Sequence, residues 1–588
     1  MDMCIKRDAT FLLAESELKH YGLEAVLKIE ETLPSFEIRI EKGAFVIAAP
    51  NNVELLYGVY DLAERAGGYS FFEPGRDRFD ENRVKKDLPD GIFVPACPVK
   101  LKRRGFIQEF PFNDETQMLF DHMAKNKLNY LLVWMKYYDH LSDELKEYAR
   151  IRGIVIESGH HNFDYWIPGK KYGKTHPHFF AMVDGKRITP SERDSDLLMS
   201  EQLCTTNKEL RAEIVKNMLA YCDAHPEVKV ISLVPNDGFG WCECPECSKY
   251  YDKEKKGEYY NLSNHVYKAD KIYHDLIDDI SARLHEVRPD ISLTFVAYVN
   301  YSRPAEGFQL NKNTAVHMAP YWHCINHSID DEDCPINSSY ADDLKCWEKS
   351  KNGGEINIYE YYMGVNFYLS LPMVHFEEMF RDISWYNAHG IDGILTQFHI
   401  PHWTVYGNNY FLMGRAARGE DMTGSIDTLF EMLYGKEAQQ AKSFWKKAKD
   451  LLLALGECHI PYPYSFLKRV NKESLKELQS LAQDLAKAAP ADCMRKELVI
   501  WTEYLIRFKE LFDTYHEGKL AKKDVDDFVT WIHSYRDTRV FVQDKFDMYF
   551  PALHEALEKG TPWLHFNFDW EDEYIRKHEK SNFFRNKI

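Results

Sequence analysis

The sequence has no long apolar run. None of its stretches approaches the roughly 20 consecutive apolar residues that a membrane-crossing helix needs, so no membrane association is expected. It also lacks an excess of positive charge. Lys and Arg number 74 against 92 Asp and Glu, a formal net charge of −18. A phosphate backbone or an anionic membrane surface calls for a basic footprint, so neither is an expected partner. Cysteines are few for 588 residues, 12 in all, and their scattered spacing is not that of a disulfide framework. The opening residues, MDMCIKRDATFLLAESELKH, lack the basic stretch and apolar core of a secretory signal. A reduced, cytoplasmic protein is the expectation. There is no internal repeat, no low-complexity tract, no Gly-rich phosphate loop and no Ser nucleophile elbow.

Aromatic residues, by contrast, are abundant at 14%, with 36 Tyr and 12 Trp. Most aromatic rings serve a core, but ring faces also stack on the C–H faces of sugars. The 45% hydrophobic and 28% charged content is ordinary for a globular protein, and the length exceeds what one core can organise, so two to four domains are expected.

The chain changes texture twice. Residues 1–98 mix strand-like segments (36–40 and 44–49) with a helix over 53–66, whose Leu55, Leu56, Val59, Leu62, Ala63 and Ala66 share one face; they read as a small α/β domain. Across residues 99–418, eight short apolar segments alternate with helical stretches: 104–108, 129–134, 153–157, 230–234, 292–297, 315–319, 356–360 and 393–397. Eight β/α repeats predict a (β/α)8 barrel, with a doubly wound open sheet as the alternative. Thr206 and Glu209 have capping-box spacing at the start of a helix over 206–222. Two connections, 158–205 and 235–265, are long enough to be binding loops. Residues 419–588 are helical throughout, including a segment over 522–545 read as one helix, and end in an aromatic tail, WLHFNFDW, expected to pack back onto the body.

The organising stretch is KVISLVPNDGFGWCECPEC, residues 229–247. An apolar strand stops at Pro235, and Asn236, Asp237 and Gly238 follow as a turn. In an α/β barrel, residues just past strand ends converge on one mouth, where the chemistry is done. Reading them in order yields Glu109, then Trp134 with Lys136 and Tyr137, then His160, His161 and Asn162, then Asn236 and Asp237, then Tyr298 and Tyr301. Tyr321, Trp322 and His323 follow, then Glu360, Tyr361 and Tyr362, and last Gln397, His399, His402 and Trp403; Arg104, on the first strand, is added as a substrate contact. Carboxylates, amides, imidazoles and aromatic platforms are the set that glycoside hydrolysis requires. Asp237 is the expected acid and Glu360 the expected second carboxylate or base, because both follow apolar strands in equivalent positions. Singly, each has a structural alternative: a helix cap, a lysine partner or a place in the core.

At these residues the chain resembles the α-glucuronidase family of glycoside hydrolases and, more loosely, the barrels of β-N-acetylhexosaminidases. NNVELLYGVYDLAERAGG is similar to the small domain before the barrel, and VPNDG to the segment bearing the general acid, with Asp237 where the family has glutamate. IYEYYMGVNFYLSLPM is similar to the segment of a general-base glutamate, which falls on Glu360. GILTQFHIPHWTVYGNNYFLMGRAARGEDMTGSIDTLFEMLYG is similar to the last strand and the entry to the helical domain. The pattern departs in two places. No aspartate stands near Tyr321-Trp322-His323, and apolar Leu233 and Val296 occupy positions where the family holds a uronate carboxylate. The resemblance therefore implies an exo-acting glycosidase that trims an N-acetylhexosamine, a neutral hexose or a uronic acid from an oligosaccharide. Hexosaminidase-like relatives imply a second mechanism, with Asn236 orienting an acetamido group and Asp237 donating the proton. Two other readings remain: a catalytically silent carbohydrate-binding protein and a zinc-dependent hydrolase. A homodimer is left open.

Cys242, Cys244 and Cys247 place three thiols within six residues, a density that points to structural zinc. Cys204, preceding the helix after the third strand, is the expected fourth ligand, whereas Cys222 should lie toward the other end of that helix. Such a site would stiffen the loop that carries Asp237. Free or paired thiols are the alternative.

Overall fold

The computed structural model describes residues 7–187, 202–238, 240–251, 268–365, 368–456 and 458–567. Eight parallel strands close into a barrel: Arg103–Gln108, Tyr130–Trp134, Val155–Gly159, Val230–Ser232, Ser292–Ala297, Thr314–Met318, Glu355–Glu360 and Gly393–Gln397. They are the eight segments expected, displaced at their ends by no more than two residues. Strand eight pairs back onto strand one, Gly393 opposite Arg103 and Thr396 opposite Phe106, so the sheet has no edge and the open-sheet alternative falls. At Gly105 a Cβ would lie 1.7 Å from the Tyr130 carbonyl oxygen, so only glycine fits where the first two strands meet.

Strand residues alternate between two cores. Ile107, Leu132, Val234, Val296, Ala319, Tyr359 and Leu395 fill the barrel, and residues of the opposite parity pack outward against the helices. Deep in the barrel, Glu157 accepts a hydrogen bond from Tyr130 (2.7 Å) and another from Thr294, and contacts His317 Nε2 at 2.8 Å. Burial alone would raise the Glu157 carboxyl, but His317 and these hydrogen bonds overcome it and leave it below the usual range.

Before the barrel, strands Ala25–Ile29, Ala44–Ala49, Glu37–Glu41 and Gly91–Val94 form a sheet in that spatial order, packed on helices Ala9–His20 and Asn52–Arg65 around a core of their own. Asn51 caps the second helix by accepting from Glu54 N at 3.0 Å.

After the barrel come helices including Trp403–Arg418, Met422–Tyr434, Ala438–Leu453, Lys472–Ala488 and Cys493–His516. The segment read as one helix over 522–545 is two, Lys522–His533 and Gln543–Lys559. The intervening turn carries no Pro or Gly. It is held by tertiary contacts: Arg539 pairs with Glu73 and Glu115, its carbonyl accepts from Thr404 N, and Val540 and Phe541 are buried. A second correction concerns the helix after strand three, which runs Lys208–Ala224 and is capped by Asn207, not Thr206; the Thr206 hydroxyl lies 3.1 Å from Cys247 Sγ instead. The aromatic tail packs back as far as it is described, with Trp563 and Phe566 buried, while residues 568–570 lie outside the described segments.

Candidate active site

A cavity of about 590 Å³ opens at the C-terminal ends of the barrel strands. Of the residues expected there, Glu109, Trp134, Tyr137, His160, His161, Asp237, Tyr298, Tyr321, Tyr361, Gln397 and His399 line it, together with Tyr359. Tyr359 and Tyr361 share the inward parity of strand seven.

That same parity corrects the assignment of Glu360. Between two inward tyrosines its side chain points outward, 2% exposed, with its carboxyl 3.4 Å from His323 Nδ1 and 3.4 Å from the Tyr386 hydroxyl. Glu360 does not face Asp237. Ten further expected residues also lie off the cavity lining, Lys136, Asn162, Tyr301, His323 and His402 among them. Arg104 is buried outside the barrel, donating to the carbonyls of Leu101, Lys102 and Lys127 at 2.7–3.1 Å. Trp322 donates to the Tyr462 hydroxyl (3.0 Å) and Trp403 to the Phe72 carbonyl (2.7 Å). Tyr362 is buried outside the barrel, its backbone N–H on Thr396 Oγ1. Asn236 accepts from Asp164 N (3.2 Å), so its amide braces the third loop, which does not support the acetamide-orienting role.

The third loop brings two histidines into the mouth because His160 adopts φ +67°, which breaks the strand alternation. Asn162 stitches this loop to strand four: its side chain donates to the Ser232 carbonyl (2.8 Å) and accepts from Val234 N (2.9 Å). The His160 ring stacks on Trp134, centroids 4.4 Å apart. His161 N donates to His160 Nδ1 at 2.9 Å, so the His160 proton sits on Nε2, 2.8 Å from both Glu109 Oε1 and the Tyr359 hydroxyl. Tyr359 also donates to Glu109 Oε1 (2.8 Å) and receives from Gln397 Nε2 (3.0 Å). Two donors thus converge on one Glu109 oxygen, an arrangement suited to an ionised acceptor. Burial pushes His161 down and His399 down to about 3, so these two rings are neutral at pH 7.

The remaining wall includes five residues of the helical region: Val542, Asp544, Lys545, Met548 and Tyr549. None was expected. Lys545 adds an amine to this wall, its ammonium pushed down by burial against the opposing pull of Glu109. The one available signal, the aromatic and basic residues near 545–549, is indistinguishable from an ordinary amphipathic helix.

Below the mouth, Cys204, Cys242, Cys244 and Cys247 bring their sulfurs within 4.8 Å of one another, a group able to hold a metal ion. Cys204 Sγ lies 3.6 Å from Cys244 Sγ and 3.9 Å from Cys247 Sγ, and Met182 N donates to Cys242 Sγ at 3.3 Å. Four buried thiols in this packing suit tetrahedral zinc. Cys222 is not among them.

The family model described as Domain of unknown function (DUF4838) matches residues 94–445. The chain belongs to that family. None of the curated proteins matches this DUF4838 chain by sequence. Among solved structures, the chain is similar to BtGH115A, a GH115 4-O-methyl-α-glucuronidase with specificity for decorated arabinogalactans: 11% identity, 98% of this chain, 78% of that one, TM-score 0.55. It is also similar to a family 89 glycoside hydrolase from Clostridium perfringens in complex with PUGNAc: 11% identity, 89% of this chain, 65% of that one, TM-score 0.54. At such identities the likeness is one of fold: the DUF4838 barrel is glycoside hydrolase-like.

Proposed function

We propose that this protein is an exo-acting glycoside hydrolase that removes a terminal sugar (an N-acetylhexosamine, a neutral hexose or a uronic acid) from oligosaccharides by carboxylic acid/base catalysis. The observation that carries this reading is that Asp237 and Glu109 line one aromatic-walled cavity at the barrel mouth. Asp237 is assigned as the proton donor to the departing oxygen. Glu109, presented with His160 and Tyr359 on one oxygen, takes the role of second carboxylate, activating water or attacking the sugar directly. The helix Gln543–Lys559 walls one side, which favours a chain end over a continuous strand of sugar. Cys204, Cys242, Cys244 and Cys247 are assigned to structural zinc that stiffens the loop bearing Asp237 and takes no part in bond cleavage. We place the protein in the cytoplasm, where such thiols stay reduced.

A panel of aryl glycosides covering hexoses, N-acetylhexosamines and uronic acids tests the reading. Hydrolysis lost in Asp237→Asn and in Glu109→Gln is the expected result. Sugar binding without turnover would replace the enzyme with a carbohydrate-binding protein, and activity lost instantly on chelation would replace carboxylate chemistry with a metal-dependent hydrolase.

A further inference from the structure

A second group of thiols, absent from the sequence expectations, lies where the loop after strand six meets the helical region. Cys324 and His327 belong to that loop, Cys334 is the N-cap of helix Pro335–Ser350, and Cys458 precedes helix Pro463–Arg469. Their four donor atoms lie within 4.8 Å of one another. Cys334 Sγ is 3.6 Å from Cys458 Sγ, and Cys324 Sγ is 3.3 Å from His327 Nδ1. A tetrahedral zinc ion with Zn–S of about 2.3 Å and Zn–N of about 2.0 Å sets its ligand atoms about 3.5–3.8 Å apart, so these positions need only small adjustment. A disulfide would need sulfurs at about 2.05 Å.

The surroundings are those of thiolates. Asn326 N and His459 N donate to Cys324 Sγ at 3.4 and 3.2 Å, and Asn337 N donates to Cys334 Sγ at 3.4 Å. Cys334 also sits at the positive end of a 16-residue helix. The three sulfurs are buried and the imidazole half-buried, which suits a closed structural site better than an open catalytic one.

We propose that Cys324, His327, Cys334 and Cys458 bind a structural zinc ion. Binding takes up one Zn²⁺, displaces the thiol protons to solvent and involves no change of oxidation state. The ion clamps the sixth loop to the helical region alongside existing ties that include Ile325 N to the His459 carbonyl (3.0 Å), Trp322 Nε1 to the Tyr462 hydroxyl (3.0 Å) and Asn326 Nδ2 to the Leu452 and Gly456 carbonyls (3.3 and 3.2 Å). Tyr321, on the same loop, forms part of the cavity wall, so the clamp would hold that ring in place. This inference does not depend on the glycosidase reading.

The test is the metal content of the full chain purified in reductant, measured by plasma mass spectrometry after zinc loading and desalting. Wild type should carry one zinc more than Cys324→Ser or Cys458→Ser, and the Cys242→Ser/Cys244→Ser protein should retain one zinc. Because these variants can fail to fold, the zinc-edge absorption spectrum of wild type is the second measurement. A fit that includes nitrogen as well as sulfur ligands supports the site, since the other cluster offers sulfur alone. An all-sulfur spectrum, metal content unchanged by Cys324→Ser and Cys458→Ser, or a Cys334–Cys458 disulfide in zinc-loaded protein would overturn it.

Discussion

Glu360 and its neighbour His323 are both buried, and burial drives them in opposite senses, the carboxyl up to about 8 and the imidazole down to about 3. At neutral pH the contact therefore joins two uncharged groups. A carboxyl whose folded value lies above its ordinary 4.5 contributes stability that is complete below about pH 4.5 and lost as pH rises toward 8. Glu360→Gln, an isostere of the protonated form, should flatten the fall in melting temperature across that window and leave turnover within a few-fold of wild type. A loss of activity on the scale of the Asp237 variant would return Glu360 to the catalytic pair. Asp237→Asn should lower kcat by about 10²–10⁴-fold, the range for a removed proton donor. Glu109→Gln should erase one limb of the pH–rate profile, and a profile with both limbs intact would exclude Glu109 from the proton inventory. Residue types were readable from sequence at this scale. Direction was not, because one step along a strand turns a carboxylate from the cavity to the helices.

All eight barrel strands were visible in the sequence as short apolar runs, since a parallel strand covered on both faces must be apolar along its length. Helix ends were less legible. Asn207 displaced Thr206 as cap, and the break between Lys522–His533 and Gln543–Lys559 has no local breaker; Arg539, held by Glu73 and Glu115, enforces it from outside. That break aims the start of the second helix at the barrel mouth. Tyr549→Ala should therefore raise KM about 2–10-fold, the size of one lost ring contact, while leaving kcat and the melting temperature close to wild type. Michaelis–Menten kinetics decide it: an unchanged KM would remove the helix from the substrate path. Lys545→Met is expected to weaken acidic sugars more than neutral ones, which inhibition constants for a uronic acid and its neutral hexose would compare.

A buried charge network ties the whole molecule together. Lys127, beside the first two barrel strands, pairs with Asp61 at 2.8 Å; Arg65 pairs with Asp61 (2.6 Å) and Glu420 (2.9 Å); Arg415 pairs with Glu64 and Glu420. Burial alone would raise the Asp61 carboxyl, but Lys127, Arg65 and Arg415 hold it below the usual range. Asp61→Asn leaves Lys127 buried without its paired carboxylate and should cost about 3–5 kcal/mol. Calorimetry should show a lower melting temperature, and a variant as stable as wild type would mean that water or a rearranged Glu64 compensates. The sequence by itself determined the order of the parts, the eight β/α repeats, the presence of Asp237 at a strand end and the close spacing of Cys242, Cys244 and Cys247, because each depends on local pattern or short spacing. Only the tertiary structure decided that Glu109 rather than Glu360 shares the cavity with Asp237, that residues 542–549 complete its wall, and that Cys458 joins Cys324, His327 and Cys334. Those three outcomes depend on which side chains meet across more than a hundred residues of chain, and that is set by packing in three dimensions, which no local pattern records.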